Sequence, residues 1–206
     1  QPASLDLTLS ANCYRIKASF IPNNKKISQL IESLTLNKLN LNHENLLEKN
    51  CIYLCELNEK LDLPISFSAK SNPKSTTGRL DIFTRLITEN GKEYDHVCKG
   101  YKGKVYLEII PQSFSIIVKK GISLNQIRFY DESHNVKSFI KSQNISIYIK
   151  KNEVSAYKAK KNTGAINLTK INYYKINDYW DKIVPIKNSF IIEKDEFYIL
   201  RSSENI

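Results

Sequence analysis

The sequence predicts a mainly β fold, an all-β barrel or sandwich carrying one or two short helices. Three observations lead there. Apolar and polar residues alternate in short runs, as in Leu5, Leu7, Leu9 and again in Val105, Leu107, Ile109, the period of a strand with one buried face. Turn-forming pairs such as Asn90-Gly91 and Lys120-Gly121 separate these runs. Helical spacing is brief, carried by Ile27, Leu30, Ile31 and Leu34.

Taken in order, Leu5 to Leu9 reads as a strand with Asp6 and Thr8 on its wet face. Pro22-Asn23-Asn24 turns the chain into an amphipathic helix over Ile27 to Leu36. Leu46 to Leu57 is strand-like and is stopped by Asp62-Leu63-Pro64. An extended Ile65 to Ala69 leads into a Ser/Asn/Pro/Lys loop, after which Leu80-Asp81-Ile82-Phe83 reads as a short helix whose N-terminus faces the loop hydroxyls. Asn90-Gly91 signals a hairpin turn. Val105 to Ile109 alternates so that Glu108 points away from the main apolar face, and Ser113 to Val118 and Leu124 to Phe129 add two strands.

Beyond about Tyr130 the pattern changes. Ile145, Ile147 and Ile149 alternate, a basic stretch runs from Tyr157 to Gly164, and aromatics gather at Tyr173, Tyr174, Tyr179 and Trp180. An internal echo then appears: Leu46-Leu47-Glu48-Lys49-Asn50-Cys51-Ile52-Tyr53-Leu54 is answered by Ile191-Ile192-Glu193-Lys194-Asp195-Glu196-Phe197-Tyr198-Ile199. These features divide the chain into a barrel over 1–130, a connector over 131–185 and, over 186–206, the first strand region of a second, truncated copy.

Composition bounds the function. With 206 residues and 41% apolar content the chain can bury a core. No apolar run approaches the roughly 18 residues of a spanning helix, and no secretory signal opens the chain, so no membrane is expected. A net charge of +10 favours a polyanionic partner. The lysines are spread along the chain, which argues against a nucleic-acid interface. Cys13, Cys51, Cys55 and Cys98 form no CxxC pair and no metal-ligand spacing with His43, His96 or His134. They read as reduced, mostly buried thiols, hence a cytoplasmic protein. The chain holds no Met and begins with Gln1, so it is expected to be a piece of a longer protein, cut at both ends.

Chemistry concentrates between Asn72 and Glu108. Asn72-Pro73-Lys74-Ser75-Thr76-Thr77-Gly78-Arg79 brings two cations, three hydroxyls and a glycine to one loop, a composition suited to phosphate. It lacks the spacing of a Walker loop and is equally the composition of a plain turn. Glu108 ends an alternating strand; a carboxylate there is ordinarily just solvated, or it can serve as a proton shuttle. A zinc deaminase needs His-x-Glu and Pro-Cys-x-x-Cys, which are absent. Cys98 and His96, two apart, have no clear catalytic arrangement.

These residues resemble the deoxycytidine triphosphate deaminase family, within the deoxyuridine triphosphatase-like fold of distorted β-barrel or jelly-roll type. The resemblance rests on Pro2-Ala3-Ser4-Leu5-Asp6-Leu7, Lys74-Ser75-Thr76-Thr77-Gly78-Arg79, Gly100-Tyr101-Lys102-Gly103 and Val105-Tyr106-Leu107-Glu108, with Gln126-Ile127-Arg128-Phe129 closing a span of about 1–130. The remainder resembles the longer, tandem-repeat bacterial type.

The resemblance implies hydrolytic deamination of dCTP to dUTP and ammonia, with no zinc and with Mg2+ carried by the triphosphate. Glu108 would be general base and proton shuttle. Ser75 and Arg79 would hold water and nucleotide from a neighbouring subunit of a homotrimer or a trimer-like tandem assembly. Lys74 and Thr76 match phosphate-loop positions, Tyr101 the aromatic next to the catalytic strand, and the backbone near Ile87 and Thr88 the reader of the base edge. Lys158 is a loose match to the family's C-terminal arm. The related triphosphatases place an aspartate shortly before that aromatic; Val97-Cys98-Lys99-Gly100 supplies none here, and Asp95 is the nearest acid. Deamination is therefore favoured over dUTP hydrolysis or a bifunctional enzyme. A non-catalytic nucleotide-binding remnant is the other reading.

Overall fold

A computed structural model describes residues 4–23, 25–131, 133 and 144–204. Pro2, Ala3 and His134 lie outside them. The elements run β1 (Leu5–Ile16), α1 (Ile27–Leu34), β2 (Thr35–Asn40), β3 (Asn45–Leu47), β4 (Ile52–Asp62), β5 (Phe67–Pro73), α2 (Ser75–Arg79), β6 (Ile82–Thr88), β7 (His96–Val97), β8 (Lys102–Pro111), β9 (Ile116–Val118) and β10 (Ser123–Asp131). After these come β11 (Ala156–Ala159), β12 (Ile166–Asn167), α3 (Ile176–Tyr179), β13 (Trp180–Ile183) and β14 (Tyr198–Leu200). Two compact units result, residues 1–135 with 165–171, and residues 136–164 with 172–206.

The first unit is a distorted, nearly closed β-barrel. Its main sheet has the order β6-β8-β4-β1-β10-β5-β7, with β2 also on β1. Leu7, Leu9, Cys13, Cys55, Leu107 and Ile127 point inward and are fully buried. The intervening side chains form a second cluster on the outer face, where Ile16, Leu54, Ile87 and Tyr106 pack with Ile27, Ile31 and Leu34 of α1. Burying a side chain such as Ile27 is worth about 1.5–3 kcal/mol. Both faces of β4 and β8 are therefore covered.

Asp95 closes the barrel. Its N–H donates to the Leu86 carbonyl at 3.0 Å and its carbonyl accepts the Ser71 N–H at 2.9 Å. Its Oδ1 accepts from the Leu86 N–H at 2.8 Å and from Ser71 Oγ at 2.7 Å. One residue with φ +60° thus ties β6, at one end of the sheet, to β5, which lies beside the short β7 at the other. A smaller sheet, β12-β9-β3, brings 165–171 back to this unit, pinned by Glu44, which accepts from Asn167 Nδ2 at 3.0 Å and Thr169 Oγ1 at 2.9 Å.

Several local expectations are corrected. The second helix is Ser75–Arg79, so the hydroxyls lie within it and do not face its N-terminus; Asp81 at φ +53° ends the helical course, and Ile82 and Phe83 begin β6. The first helix stops at Leu34, and Thr35 and Leu36 belong to β2. Leu46 to Leu57 is two strands, broken at Asn50 with φ +62°. Asn90-Gly91 does turn, with the Gly91 N–H donating to the Thr88 carbonyl. No two-stranded hairpin follows, because β6 pairs with β8 and β7 with β5. Ile145, Ile147 and Ile149 are exposed and form no strand beyond an isolated bridge from Ile147 to Ser202.

The thiols are not all free. Cys13 and Cys55 are directly opposite on β1 and β4, with Cα atoms 4.1 Å apart, and form a disulfide. Cys51 and Cys98 are free. Spacing along the chain could not show this pairing, because it depends on the register of two strands.

The second unit is a three-stranded sheet of order β13-β11-β14. Its pairings parallel those of β2, β1 and β4 in the first. Arg15 lies opposite Asn37 and Tyr53, and Lys158 lies opposite Asp181 and Tyr198. Arg15 Nη1 contacts Glu48 Oε2 at 2.7 Å, and Lys158 Nζ contacts Glu193 Oε2 at the same distance. The Glu48 N–H donates to Tyr53 Oη at 2.9 Å and the Glu193 N–H to Tyr198 Oη at 3.2 Å, while Asn50 and Asp195 share a left-handed φ of +62° and +61°. Strands from both sides of residue 186 enter this one sheet. The aromatics of the stretch pack edge to face, Tyr173 on Tyr174 at 5.1 Å and Tyr174 on Tyr179 at 5.3 Å.

Candidate active site

Glu108 sits in the middle of β8, opposite Leu54 of β4 and Arg85 of β6. The alternation of the strand turns it away from Leu107 and Ile109, as expected. It is not solvated, however. Its exposure is 0%, because the outer face on which it lies is covered.

Register supplies its partner. Arg85 donates from both Nε, at 2.7 Å, and Nη2 to the same oxygen, Oε1. The other oxygen, Oε2, is buried and has no hydrogen-bond partner among the described residues. Tyr94 lies with its ring 3.9 Å from the Arg85 guanidinium carbon, and Phe83 at 5.0 Å. Burial first, then the Glu108 charge, pushes the Tyr94 phenol up, against the pull of Arg85. Neither Arg85 nor Tyr94 was singled out from the sequence. The signal available was a charged residue between Phe83 and Ile87 in an apolar run, legible only once β6 is paired with β8.

Tyr101 is held beside this strand. Its hydroxyl donates to the Lys104 carbonyl and accepts the Glu89 N–H at 3.1 Å. Gly103 makes room for the ring, since a Cβ there would lie 2.9 Å from Tyr101 Oη. Gly100 turns the chain at φ +64°. The Gly100-Tyr101-Lys102-Gly103 motif is thereby a device for seating one aromatic against β8.

Ile87 and Thr88 are buried on β6. Leu86 directs its backbone groups outward to Asp95, so alternation turns those of Ile87 toward β8 and those of Thr88 to the same outer edge as Leu86. The Thr88 carbonyl is taken by Gly91.

Ser75, Thr76 and Arg79 are exposed on α2. The helix is anchored from below by Thr77, whose Oγ1 donates to the Leu124 carbonyl at 2.7 Å. Lys74 precedes it and forms an ion pair with Asp6. No hydrogen bond or ion pair joins Ser75 or Arg79 to Glu108 among the described residues. Lys158 lies in the second unit, where the Glu193 hydrogen bond raises its pKa and Glu196 stands at 3.8 Å. Asp95, the acid nearest the missing triphosphatase aspartate, has its Oδ1 committed to Ser71 and Leu86. Among the described residues no group of three or more His, Cys, Asp and Glu could hold a metal ion, and no helix is long and apolar enough to cross a membrane.

A barrel stitched in this order, with a single enclosed carboxylate on its eighth strand and an exposed Ser/Thr/Arg helix after its fifth, is of the deoxyuridine triphosphatase-like class. Comparison with known proteins narrows the class. The model for the N-terminal domain of 2'-deoxycytidine 5'-triphosphate deaminase matches residues 1–133 and that for its C-terminal domain residues 131–206. The chain belongs to the deoxycytidine triphosphate deaminase family. Among solved structures it is similar to the 2'-deoxycytidine 5'-triphosphate deaminase from Agrobacterium tumefaciens, with 37% identity and a TM-score of 0.87 over 98% of this chain. The match spans 66% of that protein, just under two thirds of its length. Comparison with curated proteins gives no match.

Proposed function

We propose that the chain is a dCTP deaminase that hydrolyses the cytosine amino group to give dUTP and ammonia. The observation that carries this is Glu108, a wholly buried carboxylate with one oxygen saturated by Arg85 and the other left without a described partner. Oε2 takes a proton from water as the hydroxide oxygen bonds to C4 of the ring. The carboxyl returns that proton to ring N3, and the new hydroxyl's proton passes to the amino group as the C4–N bond breaks. Ammonia leaves, and the carboxylate is restored.

Ser75 and Arg79 act on this site from a neighbouring subunit of a homotrimer or trimer-like assembly. Their exposure, without a hydrogen bond or ion pair to Glu108 among the described residues, supports that role. Lys74 and Thr76 serve the phosphates, Tyr101 flanks the base, and the backbone at Ile87 and Thr88 reads the base edge. Lys158 also serves the nucleotide. Mg2+ carried with the triphosphate would supply charge neutralisation beside Lys74 and Thr76. We assign the enzyme to the cytoplasm from its nucleotide substrates and not from its thiols, since Cys13 and Cys55 are paired.

Asp95 disfavours the triphosphatase alternative, because its carboxylate is engaged in closing the barrel. The second unit is a partial second copy of the barrel, which the matching Arg15/Glu48/Tyr53 and Lys158/Glu193/Tyr198 sets support. The deciding experiment incubates the protein with dCTP and, separately, with dUTP, in the presence of Mg2+. Ammonia from dCTP is expected; pyrophosphate from dUTP, or nucleotide binding without product, would replace this reading. Glu108→Gln is expected to abolish ammonia release and to keep dCTP binding, and normal turnover in that variant would remove Glu108 from the mechanism.

A further inference from the structure

We infer that Arg85 is a positioning residue for the Glu108 carboxylate, fixing which oxygen is the base. The inference rests on the deaminase reading above. An arginine fork facing a carboxylate commonly spreads over both oxygens. Here Nε and Nη2 converge on Oε1 alone, and Oε2 is the atom left over.

The arrangement is held from three directions. Arg85 and Glu108 are opposite each other in the β6–β8 ladder, so their backbones cannot separate without opening the sheet. Tyr94 covers the guanidinium at 3.9 Å and Phe83 approaches it at 5.0 Å, which restricts the long side chain to one pose. Glu108 itself is enclosed, while the Arg85 side chain keeps 23% exposure. The cation therefore lies on the outer side of the acid and is held there by rings.

Two consequences follow for a proton shuttle. Arg85 supplies, directly at Oε1, the counter-charge that a buried carboxylate needs. Saturating Oε1 leaves one oxygen for the water, so that proton uptake and return occur at the same atom. Arg85 acts through Glu108 and does not touch the ring. Its loss should appear in turnover, with little change in nucleotide affinity.

The experiment compares Arg85→Met, Arg85→Lys and Arg85→Ala with the unaltered protein, measuring kcat and KM for ammonia release and dCTP affinity by calorimetry. Arg85→Met is expected to lose about 100-fold in kcat, with KM and dCTP Kd within about threefold. Arg85→Lys, which keeps the charge but not the fork, is expected to fall between the two. Added guanidinium chloride at millimolar concentration should restore part of the kcat of Arg85→Ala and none of that of Glu108→Gln. Unchanged kcat in Arg85→Met, a loss confined to KM, or a parallel loss of kcat and binding with no guanidinium effect would each overturn the inference. Should Arg85→Met fail to fold, Arg85→Lys decides: about a tenfold loss of kcat at constant KM supports the role, and full kcat overturns it. If Glu108→Gln is dead and the Arg85 variants are fully active, only this inference fails. If the unaltered protein releases no ammonia from dCTP, the deaminase reading fails and this one falls with it.

Discussion

Asp95 takes both backbone groups of Leu86, accepting its N–H on Oδ1 at 2.8 Å and donating to its carbonyl at 3.0 Å. The same residue grips Ser71 of β5, near the opposite end of the sheet. This double grip makes Asp95 part of the architecture of the barrel.

Asp95→Ala should accordingly destabilise the protein by about 2–4 kcal/mol, because two hydrogen bonds to a carboxylate are lost. Asp95→Asn, which retains an acceptor and tolerates the left-handed backbone, should cost under about 1 kcal/mol. Urea unfolding measures both. Deaminase activity per folded molecule should survive in each; its loss in a fully folded Asp95→Asn would return the acid to the mechanism.

Gly103→Ala tests the seating of Tyr101. A methyl placed 2.9 Å from the hydroxyl and 3.2 Å from the ring carbon bearing it must displace the ring or the strand, at about 1–3 kcal/mol. Thermal unfolding should show the loss, and Tyr101→Phe in the same background should recover part of it by removing the crowded hydroxyl.

The Cys13–Cys55 disulfide, 42 residues apart in sequence, should contribute about 4 kcal/mol through the restricted unfolded chain. Reduction, or Cys13→Ala with Cys55→Ala, should lower the urea midpoint. Thiol titration of the unreduced, unfolded protein should count two groups, Cys51 and Cys98. Four would mean that the bridge does not form.

Alkaline pH should destabilise the fold. Burial raises the phenols of Tyr53, Tyr94, Tyr101 and, most strongly, Tyr106. Each keeps its proton in the folded state after the unfolded chain has lost it, so the folded state binds more protons above about pH 10. Stability is full below that value and falls as the pH rises through the folded pKa values. Phenolate absorbance at 295 nm should lag in the native protein and appear together with unfolding; normal titration without unfolding would show that these rings are not protected.

Much of the fold was legible because alternation is local. The strands around Leu5, Val105 and Leu124 and the apolar stripe of α1 depend only on near neighbours in sequence. Gly100 and Gly103 could be quoted as a motif without their reason being visible; the reason is the Tyr101 ring. Helix α2 was displaced by a few residues, since Ser75 to Arg79 reads as loop composition until Thr77 is anchored to β10. The echo at Ile191 is visible as a string, whereas the parallel between Arg15 and Lys158 depends on which strands pair.

The sequence by itself determined the β class and the family, because strand period and ordered short motifs are properties of contiguous residues. Tertiary structure decided what surrounds them. Register placed Arg85 against Glu108, Cys13 against Cys55 and Asp95 between the sheet's two ends, and the cover of α1 over the outer cluster turned an apparently wet strand face dry. Long-range pairings of this kind are set by how strands align in space, and a shift of one residue would send every side chain to the other face.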